Sequence, residues 1–177
     1  FDIAVDKAVA KPAATFYRSA VPEPARQGVH NALTHLNSPV VFVNDVLQGD
    51  GEKAVNTFGR FMVNSTVDLA GLLDVASNWG IPGHENDFGI TLGKGGVQEG
   101  SYLVMPFVGP KPPRDLLGDG VDIAFDPLTY MTWNNSTLYT MIRSGLTILD
   151  KREATLDTVD AIERTSIDFY ATSRSLY

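Results

Sequence analysis

At 177 residues, with 44% hydrophobic and 20% charged side chains, the chain is long enough for one folded domain with a real core and too apolar for a disordered segment. Its formal net charge of −7 divides into −4 before Gly89 and −3 after it, with no basic run, which argues against nucleic acid and against electrostatic adhesion to anionic lipid but leaves apolar insertion open. Cysteine is absent, which excludes disulfides and thiolate metal sites, and no run of about 18 apolar residues offers a helix that spans a bilayer alone.

In chain order, Phe1, Val5, Ala8, Val9 and Phe16 fall on one helical face, and Pro12 is expected to kink or divide that helix. The abrupt start at Phe1, inside a helical pattern with no signal peptide, reads as a trimmed chain. Val21-Pro22-Glu23-Pro24 reads as a rigid extended link. Ala25, Val29, Ala32, Leu33 and Leu36 keep the spacing of an amphipathic helix. Ser38-Pro39 then reads as a start signal, serine at the N-cap and proline at the first helical position, with Gly49 as the stop. Asp50-Gly51 leads to a helix striped by Ala54, Val55, Phe58, Phe61 and Met62. Asn64-Ser65-Thr66 is expected to interrupt it and to cap a further helix from Val67 to Asn78, ended by Gly80-Ile81-Pro82-Gly83. At ~10–12 residues each, these central helices are expected to measure roughly 15–18 Å, too short for a hydrocarbon core of ~30 Å.

Glycine and proline interrupt residues 80–120 too often for long helices, so this region reads as mostly loop, with a turn of helix at Phe88 to Leu92 and an extended apolar run after Gly93, Gly95, Gly96 and Gly100. Pro112-Pro113-Arg114 starts a helix through Phe125, and Asp126-Pro127 restarts it through Trp133. Asn135 or Ser136 caps a helix striped by Leu138, Ile142, Leu146 and Leu149. A last helix from Leu156 carries Val159, Ile162 and Phe169. The reading is all-α: eight or so short helices with one small hairpin.

No constellation for chemistry emerges. His84-Glu85-Asn86-Asp87 lacks the i, i+4 histidine pair of a zinc helix and reads as a polar loop. His30 and His35, five apart, do not converge. The glycines around Lys94 miss the phosphate-loop spacing by one residue, and Gln98 stands where a dinucleotide fingerprint needs its third glycine. No G-x-S-x-G elbow occurs. Asp119 and Asp122 read as solvated helical acids. Asn64-Ser65-Thr66 and Asn135-Ser136-Thr137 match a glycosylation acceptor but are explained by capping. No catalytic residue, cofactor or metal is expected. The apolar helices themselves admit two readings: a soluble core, the commoner use of such segments, or a surface that meets lipid as well as protein, since Phe42, Phe58, Phe61, Met62, Leu69, Leu72, Leu73 and Trp79 are many large side chains for one small domain.

Three blocks settle which family the chain is similar to: VPEPARQGVHNALTHLNSPVVFVNDVLQGD at 21–50, RFMVNSTVDLAGLLDVASNWG at 60–80 and DFGITLGKGGVQEGSYLVMPFVGPKPPRD at 87–115. Together they resemble the MlaA (VacJ) lipoproteins of Gram-negative outer membranes, over at least Val21 to Asp115 and more weakly through the C-terminal helices. The chain departs from the usual family pattern at Asp68 and Ala70, where glycine is usual, at Ser101, where proline is usual before Tyr102, and at Lys94-Gly95, where bulkier residues are usual.

The resemblance implies a single MlaA-like domain over 1–177, a ring-like bundle of short amphipathic helices lying in one membrane leaflet, with a Gly/Pro-rich hairpin-like loop. It implies a periplasmic-side lipoprotein embedded in the inner leaflet of the outer membrane, with the acylated cysteine upstream of Phe1. Its activity would be removal of mislocalised glycerophospholipid from the outer leaflet through an amphipathic channel, without covalent chemistry. The expected partners are glycerophospholipid, a trimeric porin and a soluble MlaC-like periplasmic lipid carrier. From amphipathicity, Phe61, Leu72 and Leu73 are the channel candidates for acyl chains and Lys94 and Arg143 for the headgroup. Gly93, Gly95, Gly96, Gly100 and Tyr102 form the candidate gating loop, because glycine permits large φ/ψ change. A scaffold bound to porins, or a soluble helical periplasmic binding protein, stands as the alternative.

Overall fold

The computed structural model describes residues 6–68, 71–100, 103–105, 109–131 and 136–165. Chain order within them is a π-helical turn Asp6–Ala10, then α1 Lys11–Ala20, α2 Glu23–Leu47, α3 Gly51–Thr66, α4 Val75–Asn78, α5 Phe88–Lys94, the short strands β1 Leu103–Met105 and β2 Gly109–Lys111, α6 Pro113–Phe125, α7 Pro127–Met131, α8 Ser136–Ala154 and α9 Leu156–Thr165. The strands pair antiparallel with Leu103 opposite Lys111 and Met105 opposite Gly109. The fold is therefore helical apart from one small hairpin.

Several element boundaries follow the expected local chemistry. Pro12 divides the N-terminal helix, taking a place in the first turn of α1 where its missing N–H is not needed. Asp50 caps α3 by accepting from the Lys53 N–H at 3.2 Å, and Asp87 caps α5 by accepting from the Ile90 N–H at 2.7 Å. Gly49, at φ 71, ends the segment after α2. Pro112 and Pro113 open α6, and Asp126 breaks it before α7. Trp133, Asn135 and Phe169 fall outside the described residues.

Three expectations are corrected. The extended link is confined to Val21 and Pro22; Glu23 and Pro24 already belong to α2, with Pro24 in its first turn. The Ser38-Pro39 pair does not start a helix. The 25-residue α2 runs through Pro39, and the Ser38 hydroxyl donates to the Thr34 carbonyl at 3.2 Å instead of capping. At ~1.5 Å per residue α2 is roughly 37 Å long, so length does not prevent it from spanning. Its polar side chains do: no helix among the described residues is long and apolar enough to cross a membrane.

The third correction concerns Asn64-Ser65-Thr66, which does not interrupt α3 but completes it, with the Thr66 hydroxyl bonded back to the Met62 carbonyl at 2.7 Å. Among the described residues from Val67 to Asn78 only those of α4, at the end, are helical. The reason is local. Gly71 and Asp74 adopt left-handed φ of 84° and 48°, and the Asp68 carboxylate takes up backbone N–H groups that a helix would bond within itself.

The packing places polar groups inside and apolar groups outside. α2 lies along α3, α5 packs on α6, and α8 packs on both α1 and α2. On α3 the buried positions are Ala54, Thr57 and Asn64, while Val55, Phe58 and Met62 of the expected stripe are exposed. Phe42 and Phe58 meet on that outer side with ring centroids 5.9 Å apart. The stripe expected on α8 also opens outward, with Leu138 and Ile142 exposed. The largest fully buried side chains are Asn44, Asp45 and Pro112.

Candidate functional site

The interior of the α2, α3, α5 and α6 group is a hydrogen-bonded network centred on α2. Asp45 is fully buried. Its carboxylate accepts from the Thr57 hydroxyl at 2.7 Å and from the Asn86 amide at 2.7 Å, and it pairs with His84 Nε2 at 2.8 Å. The neighbouring Asn44 donates to Asp122 at 2.8 Å and to the Val40 carbonyl at 3.1 Å, and accepts from the Thr91 hydroxyl at 2.7 Å. Gln48, one turn on, donates to Asn86 at 2.8 Å and Thr91 at 2.7 Å. Buried polar groups at this density are tolerable only because each finds a partner.

The surroundings of several polar residues differ from expectation. Asp122 is not a solvated acid: it accepts from Asn44 and from the Phe88 N–H at 2.9 Å, and burial raises its pKa despite those bonds. Asp119, half-exposed, pairs with Lys111 at 2.6 Å. His84 and Asn86 do stand in a loop, as expected, but their side chains turn inward and join the network. Asn64, the first residue of the Asn64-Ser65-Thr66 sequon match, is buried, with its amide donating to Asp74 at 2.9 Å and its carbonyl oxygen accepting from the Ala76 N–H at 2.9 Å. No group of three or more His, Asp or Glu among the described residues is arranged to hold a metal ion.

The channel candidates are placed in different regions. Phe61 stacks on the buried His35 ring at 5.0 Å. His35 also meets the Ser65 hydroxyl at 3.2 Å, and burial lowers its pKa against the opposing charge of Asp68. Leu72 lies over Gly28, where a Cβ would meet its Cδ2 at 3.6 Å, and its carbonyl accepts from Asn31 at 3.1 Å. Leu73 follows on the same turn, 64% exposed. These three residues gather on the N-terminal half of α2. Lys94 sits at the opposite end, its ammonium donating to Gln48 at 2.6 Å; from Gly28 to Gln48 is roughly 30 Å along the helix axis. Arg143, on α8, pairs with Asp126 at the α6/α7 break and reaches the Leu36 carbonyl at 3.5 Å, near the middle of α2.

The gating candidates divide. Gly93 lies within α5, with the Arg114 guanidinium 3.0 Å from where a Cβ would stand. Gly95 and Gly96 form the helix cap. The Gly96 N–H donates to the Gly93 carbonyl and the Val97 N–H to the Leu92 carbonyl, both at 3.0 Å, with Gly96 left-handed at φ 90. This is a Schellman motif. Gly100, at φ 78, rests beside the Pro113 ring and leads towards the hairpin. Tyr102 lies outside the described residues.

Sequence reasoning missed the network and the side chains that fix the 68–81 segment. The signal for the second was visible: Asp68 and Asp74 are the sole charges between Arg60 and Gly80, and a lone charge in an apolar stretch implies a partner. Arg60 is that partner for Asp74, with Nη2 at 2.8 Å and 2.9 Å from its two oxygens.

The sequence model of the family described as MlaA lipoprotein matches residues 1–177. The chain is similar to the intermembrane phospholipid transport system lipoprotein MlaA of Haemophilus influenzae, 32% identical over 175 residues, 98% of this chain and 69% of that protein. It is similar to the protein of the same name from Escherichia coli K12, 35% identical over 176 residues, 98% of this chain and 68% of that one. Among solved structures, one described as the structural basis for maintenance of bacterial outer membrane lipid asymmetry superposes with a TM-score of 0.85 at 31% identity, covering 99% of this chain and 87% of that chain. The chain belongs to the MlaA lipoprotein family.

Proposed function

We propose that the chain works in phospholipid transport at the Gram-negative outer membrane, as a single domain whose helices form a ring lying in the inner leaflet around an amphipathic channel. It takes mislocalised glycerophospholipid from the outer leaflet and passes it to a soluble MlaC-like periplasmic carrier, in association with a porin trimer. Its step is selective passage, with no bond made or broken.

One observation carries this reading. Val55, Phe58 and Met62 on α3, Val46 and Leu47 on α2, Leu117 and Ile123 on α6 and Leu138, Met141 and Ile142 on α8 are exposed, while Asn44 and Asp45 are fully buried. In water that arrangement is unfavourable on both counts, at roughly 25 cal/mol per Å² of apolar surface left exposed. In one leaflet the outer apolar belt is solvated by acyl chains, and the polar interior holds the helices together where apolar contacts give no drive.

Within that reading, Phe61, Leu72 and Leu73 line the path of the acyl chains, and Lys94 and Arg143 attract the anionic headgroup, which needs polar partners in apolar surroundings. Gly93, Gly95 and Gly96 are the fixed root of the gating loop, Gly100 its hinge, and Tyr102 lies beyond the hinge. The test is mass spectrometry of lipid that co-purifies with the detergent-extracted protein, compared with a Leu72→Ser/Leu73→Ser variant. Stoichiometric glycerophospholipid in the unaltered protein, lost in the variant, is the expected result. Equal trace lipid in both would favour a porin-bound scaffold.

A further inference from the structure

The turn that carries Leu72 and Leu73 is unusual in what surrounds it. Both leucines are exposed, at 42% and 64%, yet the backbone beneath them is hydrogen-bonded to Asp68, Asn31 and Asn64. The Asp68 carboxylate, itself buried, accepts from the Leu73 N–H at 3.0 and 2.9 Å and from the Asp74 N–H at 2.9 Å. The Leu72 carbonyl accepts from Asn31 on α2 at 3.1 Å. The Gly71 N–H donates to the Asn64 carbonyl at 3.2 Å. Gly71 has no space for a side chain, because a Cβ there would lie 2.4 Å from His35 Cβ.

Asp74 closes the turn in a left-handed conformation, φ 48 and ψ 57, which a non-glycine residue holds only when its surroundings over-determine it. Here they do: Arg60 grips both carboxylate oxygens, Asn64 donates at 2.9 Å and the Ser77 hydroxyl at 2.5 Å. Arg60 in turn donates to the Ile81 carbonyl at 2.7 Å, so one guanidinium ties the end of α4 to α3. A polar frame of this kind, built under two exposed leucines, does not serve the burial of those leucines. It fixes their position.

We propose that Asp68, Arg60 and Asp74 are positioning residues that hold Leu72 and Leu73 as a preformed apolar tip for the acyl chains of the transported phospholipid, which spares the lipid-bound state the entropy of ordering the turn. This rests on the transport reading above.

The test uses the absence of cysteine from the chain. A nitroxide is attached at Leu73→Cys in the detergent-extracted protein, and its mobility is read by electron paramagnetic resonance in three backgrounds: unaltered, Asp68→Gly, and Arg60→Lys, which keeps the charge but loses the two-pronged grip. Phospholipid bound per protein is measured by mass spectrometry in the same backgrounds carrying the native Leu73, below each variant's unfolding midpoint. We expect a slow spectrum in the unaltered background, a mobile component in Asp68→Gly with bound lipid reduced several-fold, and a smaller change of both in Arg60→Lys. A slow spectrum retained in Asp68→Gly, or a mobile turn with lipid content unchanged, would overturn the positioning role and leave the transport reading standing. Absence of phospholipid from the unaltered protein would overturn both.

Discussion

Two polar regions of this molecule are built on opposite principles. Around Asp45 the groups are buried or half-buried and mostly neutral: Asn44, Thr57, Asn86, Gln48 and Thr91 form a hydrogen-bonded network with two carboxylates and one imidazole. Where α1 and the start of α2 meet α8 and α9 the groups are charged and part-exposed. Arg18 pairs with Glu153 at 2.7 Å and Asp157 at 3.0 Å, Arg26 with Glu153 at 2.9 Å, His30 with Asp150 at 2.8 Å and Lys11 with Asp160 at 2.6 Å. Ion pairs concentrate in the part-exposed seam, whereas around Asp45 amides and hydroxyls supply most of the partners. The contrast fits a protein with one side in water and a flank in lipid, since charge is costly in hydrocarbon and a satisfied polar interior is not.

The largest expected effect breaks the inner region. Asp45→Ala leaves the Thr57, His84 and Asn86 donors without their shared acceptor, and should destabilise the fold by about 3–5 kcal/mol or prevent its recovery. Thermal unfolding in detergent measures it; a midpoint within a few degrees of the unaltered protein would remove the network from its central place.

Next comes the Asp74 grip. Burial disfavours its charge, but the hydrogen bonds from Ser77, Asn64 and Arg60, with the Arg60 charge, together hold its pKa at about 2. A depressed carboxylate stabilises the fold above its unfolded pKa, and that contribution is lost as pH falls from about 4 through about 2. Asp74→Asn should therefore lose about 2 kcal/mol at pH 7 and flatten that part of the pH dependence, as a pH series of unfolding midpoints would record. The charged seam should respond less: Glu153→Gln is expected to cost about 1 kcal/mol at low salt, shrinking at high ionic strength, whereas Asp45→Ala should be insensitive to salt. The smallest effect concerns His35. Its folded pKa is lowered by burial, so neutral His35 favours the fold above about 6.5, and stability should fall as pH drops below that value. His35→Gln should remove this slope between pH 7 and pH 5.

The sequence made the helical class and most boundaries legible, because those depend on residues acting locally: Pro12, Asp50, Asp87 and Pro113 each fix a helix start through their own backbone or side-chain chemistry. It misjudged Pro39 and the Val67 to Asn78 segment, where distant partners decide. Pro39 is carried through by a helix packed along α3 and α8, and the 68–81 segment is unwound by Asp68, Arg60 and Asn64. Periodicity grouped Ala54, Val55, Phe58, Phe61 and Met62 as one stripe, and the structure divides it: Ala54 is buried and Phe61 stacks on His35, while Val55, Phe58 and Met62 are exposed. The candidate lining was legible as apolar positions; the frame that holds Leu72 and Leu73 was not, since it is made of contacts between residues up to 41 positions apart.

The central claim is that the exposed apolar surface faces acyl chains. Trp79, 61% exposed beside the Leu72 turn, reports on it directly. In a Trp133→Phe variant reconstituted into bilayers of phospholipid brominated along the acyl chain, Trp79 fluorescence should be strongly quenched, and more by bromine than by aqueous acrylamide. Quenching by acrylamide alone, with no effect of brominated chains, would contradict the account.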